Sequence, residues 1–309
     1  MLTGSERHLK VKTKITEMFN IEYPIIGAPM FLVSNPDLVA AVSNAGGLGT
    51  FASMSYRNIS DLKVALAEVR QKTQKPYGMN IVLHSAHNPL WREHFNLCLE
   101  EKIPLIITSM GTPRSIIKDA HKSGLKVFCD VVTLKQAEIV AKAGADAVIT
   151  VAQGAGGHAG SISPFALIPH IKDAIDIPVI AAGAISRGVH LAAAFSLGAD
   201  AVYVGTRFIA TPEANASAEY KAALIKANPE DIIYSDKISG INANWLKESF
   251  ERWMINQEAD DHGTHLHLKR WIDIWSAGHG VAQIEDILPV PVIIKNMMNE
   301  YNEIKKRLP

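Results

Sequence analysis

A chain of 309 residues, 48% hydrophobic and 20% charged, is long enough to bury a large core and has the composition of a globular protein. Its 31 basic residues balance 31 acidic ones, so charge gives no reason to expect nucleic acid or an anionic membrane as partner. Two cysteines, Cys98 and Cys129, fit reduced thiols of a cytoplasmic protein better than a disulfide framework, and no apolar run has the length of a signal-peptide core or a membrane span.

In chain order, Tyr23-Pro24-Ile25-Ile26-Gly27-Ala28-Pro29-Met30 begins with a short buried strand at Ile25 and Ile26, and Gly27, Ala28 and Pro29 turn the chain out of it. A helix is expected from Ser34 or Asn35, with Pro36 in its first turn and an end at Ala45-Gly46-Gly47. Leu48-Gly49-Thr50-Phe51 reads as a second strand, and Ser60 is placed to cap a helix running to Lys72. Tyr77-Gly78-Met79-Asn80-Ile81 reads as a third strand, whose end carries the amide of Asn80. The alternation continues with helices over 90–101, 113–122 and 134–142, and strands over 105–108, 126–131 and 147–151.

Gln153-Gly154-Ala155-Gly156-Gly157-His158-Ala159-Gly160 follows that last strand and precedes Pro164, which suits a first helical turn. Glycines let backbone approach a flat or phosphorylated ligand, and His158 is the side chain of this loop able to exchange protons near neutral pH. A flexible turn with an incidental histidine is the competing reading.

Gly144-Ala145-Asp146-Ala147-Val148 reappears as Gly198-Ala199-Asp200-Ala201-Val202, each time between a helix end and a strand start. With a strand over 178–182 and a helix over 186–197, counting from Pro24 gives eight strands alternating with helices. That pattern predicts an α/β fold, a (β/α)8 TIM barrel with a small C-terminal helical domain or lid, with ligand sites on the loops after the strands. An open doubly wound sheet would need a Gly-x-Gly-x-x-Gly turn that Gly27-Ala28-Pro29-Met30 does not supply. Residues 12–225, with about 275–309, are assigned to the barrel and 226–274 to the smaller helical region, where 220–228 and 244–258 have helical character, as 291–305 does near the chain end.

The strand over 178–182 ends in Ala181-Ala182-Gly183-Ala184, and the eighth strand ends in Val204-Gly205-Thr206-Arg207-Phe208. Barrels often build a phosphate site from these two loops, which makes Gly183, Gly205 and Thr206 phosphate-binding candidates; tight turns are the plainer explanation of the glycines. Trp245, Trp253 and Trp271 read as packing residues before lid residues shaping a pocket, His84 and His87 as surface before residues approaching that pocket, and the trio His262, His265 and His267 matches no standard metal-ligand spacing. No metal is expected.

These motifs resemble the nitronate monooxygenase family, formerly called 2-nitropropane dioxygenases, FMN-dependent barrels. The matching pieces are 23–30, Ala45-Gly46-Gly47-Leu48-Gly49, Gly78-Met79-Asn80, 154–160, 177–183, 197–202, 205–208 and Trp275-Ser276-Ala277-Gly278. The resemblance implies FMN as cofactor, with Ala28, Pro29, Met30 and Asn80 near the flavin ring and Gly183, Ala184, Gly205 and Thr206 around the phosphate. Gly156, Gly157, Ala182 and Ser276 are further expected cofactor contacts, and His158 is the expected catalytic base. Two departures stand out: Gly183-Ala184 replaces a common Gly-Gly, and Asp130 stands where some members place a lysine. The implied reaction is oxidation of nitronates or nitroalkanes by O2 to a carbonyl compound and nitrite. The expected partners are therefore a small nitro compound and O2, with a homodimer as an assembly the chain could adopt. The alternatives are a flavin-dependent enoyl-acyl-carrier-protein reductase using NAD(P)H, which shares the Gly-Gly-His and phosphate loops, and a flavin-binding barrel without turnover.

Overall fold

The computed structural model describes residues 11–258 and 268–307. The helix α1 (Lys14–Phe19) opens with a capping box between Thr13 and Thr16 and precedes the first βα unit, β1 (Ile25–Gly27) and α2 (Pro36–Asn44). Asn35 caps α2 by accepting the Leu38 N–H at 2.9 Å, with Pro36 in the first turn as expected. The units β2 (Gly49–Ala52) with α3 (Ile59–Lys72), β3 (Tyr77–Val82) with α4 (Trp91–Glu100) and β4 (Leu105–Ser109) with α5 (Arg114–Lys122) follow. Then come β5 (Lys126–Val131) with α6 (Leu134–Lys142), and β6 (Ala147–Val151), the short β7 (Gly157–His158) and α7 (Pro164–Lys172). The barrel ends with β8 (Val179–Ala182), α8 (Gly188–Ser196), β9 (Ala201–Val204) and α9 (Thr206–Ile209).

Eight of these strands pair in parallel in the order β1-β9-β8-β6-β5-β4-β3-β2. The sheet closes where Gly27 N–H donates to Leu48 O at 2.9 Å and Leu48 N–H to Ile25 O at 3.0 Å, so the expected (β/α)8 barrel forms. Alternate residues divide the core. Ile26, Leu48, Ile107, Phe128, Ile149 and Ile180 fill the barrel, while Val127, Cys129 and Val148, one position off, pack outward under the helices. Phe19 of α1 seals one end edge-on to Phe128, with centroids 5.7 Å apart. Both cysteines are buried free thiols.

The repeated Gly-Ala-Asp motif performs the same task twice. Asp146 donates its N–H to Val127 O and accepts the Val127 N–H on its carboxylate, both at 2.8 Å. Asp200 does the same to Val179, at 2.7 and 3.0 Å. The preceding glycines, at φ +98° and +96°, make the helix-to-strand turn that brings each aspartate there.

Two local expectations change. Asn58, not Ser60, caps α3: its extended backbone lets Oδ1 accept the Asp61 N–H at 2.8 Å, and Ser60 instead donates to Asn58 at 2.6 Å. The stretch expected to be helical from Asn244 begins as a strand. After α10 (Ala218–Lys226), β10 (Ile232–Ser235) and β11 (Ala243–Leu246) pair antiparallel, and β11 also pairs with β7, before α11 (Lys247–Glu258) begins. Hydrogen bonding to distant chain wins over local helical preference here. A small cluster of Ile238, Ala243, Trp245 and Ile274 supports this sheet, with Trp253 and Trp271 packed against it. The last helix, α12 (Val290–Arg307), returns to the barrel wall against α8. No helix among the described residues is long and apolar enough to cross a membrane. The trio His262, His265 and His267 lies outside the described residues.

Candidate active site

The loops after the strands enclose a cavity of about 840 Å³ at one end of the barrel. Its size is that of a cofactor site. Among its lining residues are Ala28, Pro29 and Met30 after β1, Asn80 in β3, Asp130 in β5, Gly156, Gly157 and His158 after β6, Ala182, Gly183 and Ala184 at the end of β8, Gly205 and Thr206 after β9, and Ser276. Every candidate site residue of the sequence therefore faces one space.

Backbone contacts hold the loops together. The Gly154 carbonyl accepts N–H bonds from Ala184 at 3.1 Å and from His279 at 3.0 Å, joining three loops at one oxygen. Thr206 Oγ1 accepts the Gly278 N–H at 2.9 Å, and Asn244 Nδ2 donates to Ala155 O at 2.6 Å. Close packing explains the glycines. A Cβ on Gly278 would lie 2.3 Å from Gly154 O, and one on Gly183, which sits at φ +128°, would lie 2.9 Å from Gln153 O. Ala184 adopts φ 55°, the left-handed region, so the alanine after Gly183 adds backbone strain as well as a methyl group.

The floor carries a directed chain of hydrogen bonds. Asn80 Nδ2 donates to Ser109 Oγ at 2.7 Å and to Ile107 O at 3.2 Å, which uses both amide hydrogens and leaves the side-chain carbonyl as its contribution to a ligand. Ser109 passes its own hydrogen to Asp130 Oδ2 at 2.5 Å. Burial pushes the Asp130 carboxyl up to about 6, against the lowering effect of Ser109. Its Oδ1 is sealed from solvent and has no hydrogen-bond partner among the described residues, and the Tyr203 hydroxyl is sealed with it. Burial first, then the Asp130 charge, raises Tyr203 well above the ordinary tyrosine value.

His158 is held at the rim by β7, which pairs it with Ala243. Its ring stands edge-on to Trp271 at 5.4 Å and 83°, and Nε2 lies 3.2 Å from Ser239 Oγ. His158 is exposed at the rim; partial desolvation by its neighbours, then the nearby His87, shifts its pKa down, so a neutral imidazole is there to accept a proton. His87, for which the sequence left both the surface and the pocket open, is exposed and lines the cavity.

Ser109, Tyr203, Ser239 and Trp271 also line the cavity without having been singled out as site residues. The first two follow from the barrel rule that strand ends carry the site, since Ser109 ends β4 and Tyr203 is the last residue but one of β9; Ser239 and Trp271 arrive from distant segments and leave no local signal.

The family described as nitronate monooxygenase matches residues 12–267. A probable nitronate monooxygenase of Staphylococcus aureus is 29% identical over 349 aligned positions, covering 95% of this chain and 98% of that protein. FabK from Thermotoga maritima superposes with a TM-score of 0.85 at 34% identity, covering 96% of this chain and 98% of that one. A nitroalkane oxidase from Streptomyces ansochromogenes superposes with a TM-score of 0.81 at 27% identity, covering 96% and 99%.

Proposed function

The chain belongs to the nitronate monooxygenase family, and from that premise we propose that it binds FMN and oxidises nitronates, and nitroalkanes through their nitronates, with O2 to a carbonyl compound and nitrite. The observation that carries this reading is the convergence of His158 with the loops at Gly183 and Gly205 on one cavity. Their placement after β6, β8 and β9 supports the reading, because loops that follow parallel barrel strands share one face of the barrel.

The residues present fit a flavin. A Cβ added at Gly205 would be in ordinary van der Waals contact with Ala28 Cβ at 3.6 Å and Met30 Sδ at 3.7 Å, so the β9 loop runs directly beside the β1 loop. The sealed Asp130 Oδ1, without a hydrogen-bond partner among the described residues, and the sealed Tyr203 hydroxyl belong to residues lining the cavity floor. Gly183, Ala184, Gly205 and Thr206 would hold the phosphate, Ala28, Pro29, Met30, Asn80 and Asp130 would border the ring, and Gly156, Gly157, Ala182 and Ser276 would complete the walls. FMN would supply the electron exchange between nitronate and O2.

The protein's own contribution is proton handling. A nitroalkane has an acidic C–H beside the nitro group, and the neutral His158 imidazole takes that proton. The sheet of β10, β11 and β7 and the ring of Trp271 wall the histidine on the rim side. The test is nitrite release with O2 consumption from a neutral nitroalkane and from the preformed nitronate, using FMN-loaded protein.

The likeness to FabK supports a second reading, a flavin-dependent enoyl-acyl-carrier-protein reductase that takes hydride from NAD(P)H. It uses the same cavity and the same phosphate loops, and differs in its electron donor.

A further inference from the structure

Ser239 stands in the turn between β10 and β11, beyond the barrel, and makes two hydrogen-bond contacts with a single hydroxyl hydrogen. Its Oγ lies 2.9 Å from the Ile241 carbonyl and 3.2 Å from His158 Nε2. A carbonyl oxygen can only accept, so that contact takes the hydroxyl hydrogen. The Oγ lone pair then faces Nε2, and both contacts are satisfied together only when Nε2 carries a hydrogen. If Nε2 held a lone pair, one of the two would face another acceptor.

From this geometry the structure assigns Ser239 as a positioning residue that holds neutral His158 with its hydrogen on Nε2, leaving Nδ1 as the nitrogen that receives the substrate proton. The edge-on Trp271 ring fixes the imidazole plane, and the β7 to β11 pairing fixes its backbone. The titratable groups lining the same cavity are His87, Asp130, Arg270 and the tyrosines 203, 220 and 234, and none of these replaces Ser239 at Nε2 among the described contacts. When Nδ1 takes the proton, the ring becomes an imidazolium and its Nε2–H donates more strongly to Ser239 Oγ. The C–H electron pair stays on the substrate as the nitronate, so charge is conserved. A serine at this point therefore favours the protonated product of the step.

The inference rests on the base role given to His158 above, and its first test does not need the reaction. In the full-length protein as purified, long-range ¹⁵N–¹H spectra of histidine-labelled chain, with the His158→Asn spectrum subtracted, should show pyrrole-like Nε2 and pyridine-like Nδ1 at pH 8. Ser239→Ala should mix the two tautomers, and Ser239→Thr should restore the single one. In turnover, Ser239→Ala should lower kcat/KM for a neutral nitroalkane by about tenfold, the worth of one hydrogen bond. It should leave the preformed nitronate within about twofold, and move the pKa of the neutral-substrate profile down. A pyridine-like Nε2 in the wild type would overturn the assignment, as would a Ser239→Ala variant with an unchanged spectrum and pH profile. Wild-type protein that turns over neither substrate would instead remove the proposed reaction, while the spectrum would still decide the tautomer.

Discussion

Thr206 Oγ1 accepts the backbone N–H of Gly278 at 2.9 Å, tying the loop after the last barrel strand to the late Trp-Ser-Ala-Gly segment. The bond is buried, and it holds one wall of the proposed phosphate cradle. Thr206→Val keeps the volume and removes the acceptor. The variant should lose about 1 kcal/mol of unfolding free energy in denaturant titrations and bind FMN more weakly by fluorescence quenching. Unchanged values for both would remove the staple from the account.

Ala184 sits at φ 55°, where a Cβ crowds the backbone. Glycine has no such cost, although it gives back part of the gain through a more flexible unfolded chain. Ala184→Gly should therefore raise stability by about 0.5 to 1 kcal/mol, measured by chemical denaturation. A loss of stability would show that the methyl group is packed usefully enough to offset its strain.

Asp130 makes a prediction in pH. Its carboxyl, held at about 6 by burial against an ordinary value of 3.8, binds more protons in the folded chain than in the unfolded one between those values. Wild-type stability should fall as pH rises through this window and stay lower above it. Asparagine cannot ionise and can still accept from Ser109. Asp130→Asn should match the wild type near pH 3.5 and gain on it up to pH 8, by on the order of 2 to 3 kcal/mol. A difference that does not vary with pH would mean that the carboxyl is not held neutral by its surroundings.

His158→Asn removes the proposed proton acceptor at the rim. Turnover of a neutral nitroalkane should fall by about 10² to 10⁴, while turnover of preformed nitronate should fall far less. Steady-state rates on the two substrates check this, and equal losses would end the base role.

The barrel was legible in the chain because strand ends, helix caps and the repeated Gly-Ala-Asp turn are local signals, and the barrel rule converts strand ends into a site. Asn80, Asp130, Gly183 and Gly205 all reach the cavity by that rule. What escaped is made by distant chain. Asn244, Trp245 and Leu246 carry no alternating pattern strong enough to announce a strand, and become one by pairing across to β7 and β10. Ser239 meets His158 only because that sheet forms. His87 could be read either way for a related reason: it is exposed and lines the cavity as well, and its own loop carries no local signal for the second role.

The central claim is that this cavity holds a flavin reduced by nitronates and not by nicotinamide. Anaerobic titration of the FMN-loaded protein, followed by visible absorbance, tests it directly. Ethylnitronate should bleach the oxidised flavin band, and NADH or NADPH should leave it intact. Rapid bleaching by NADPH with no response to ethylnitronate would contradict the account and favour the reductase.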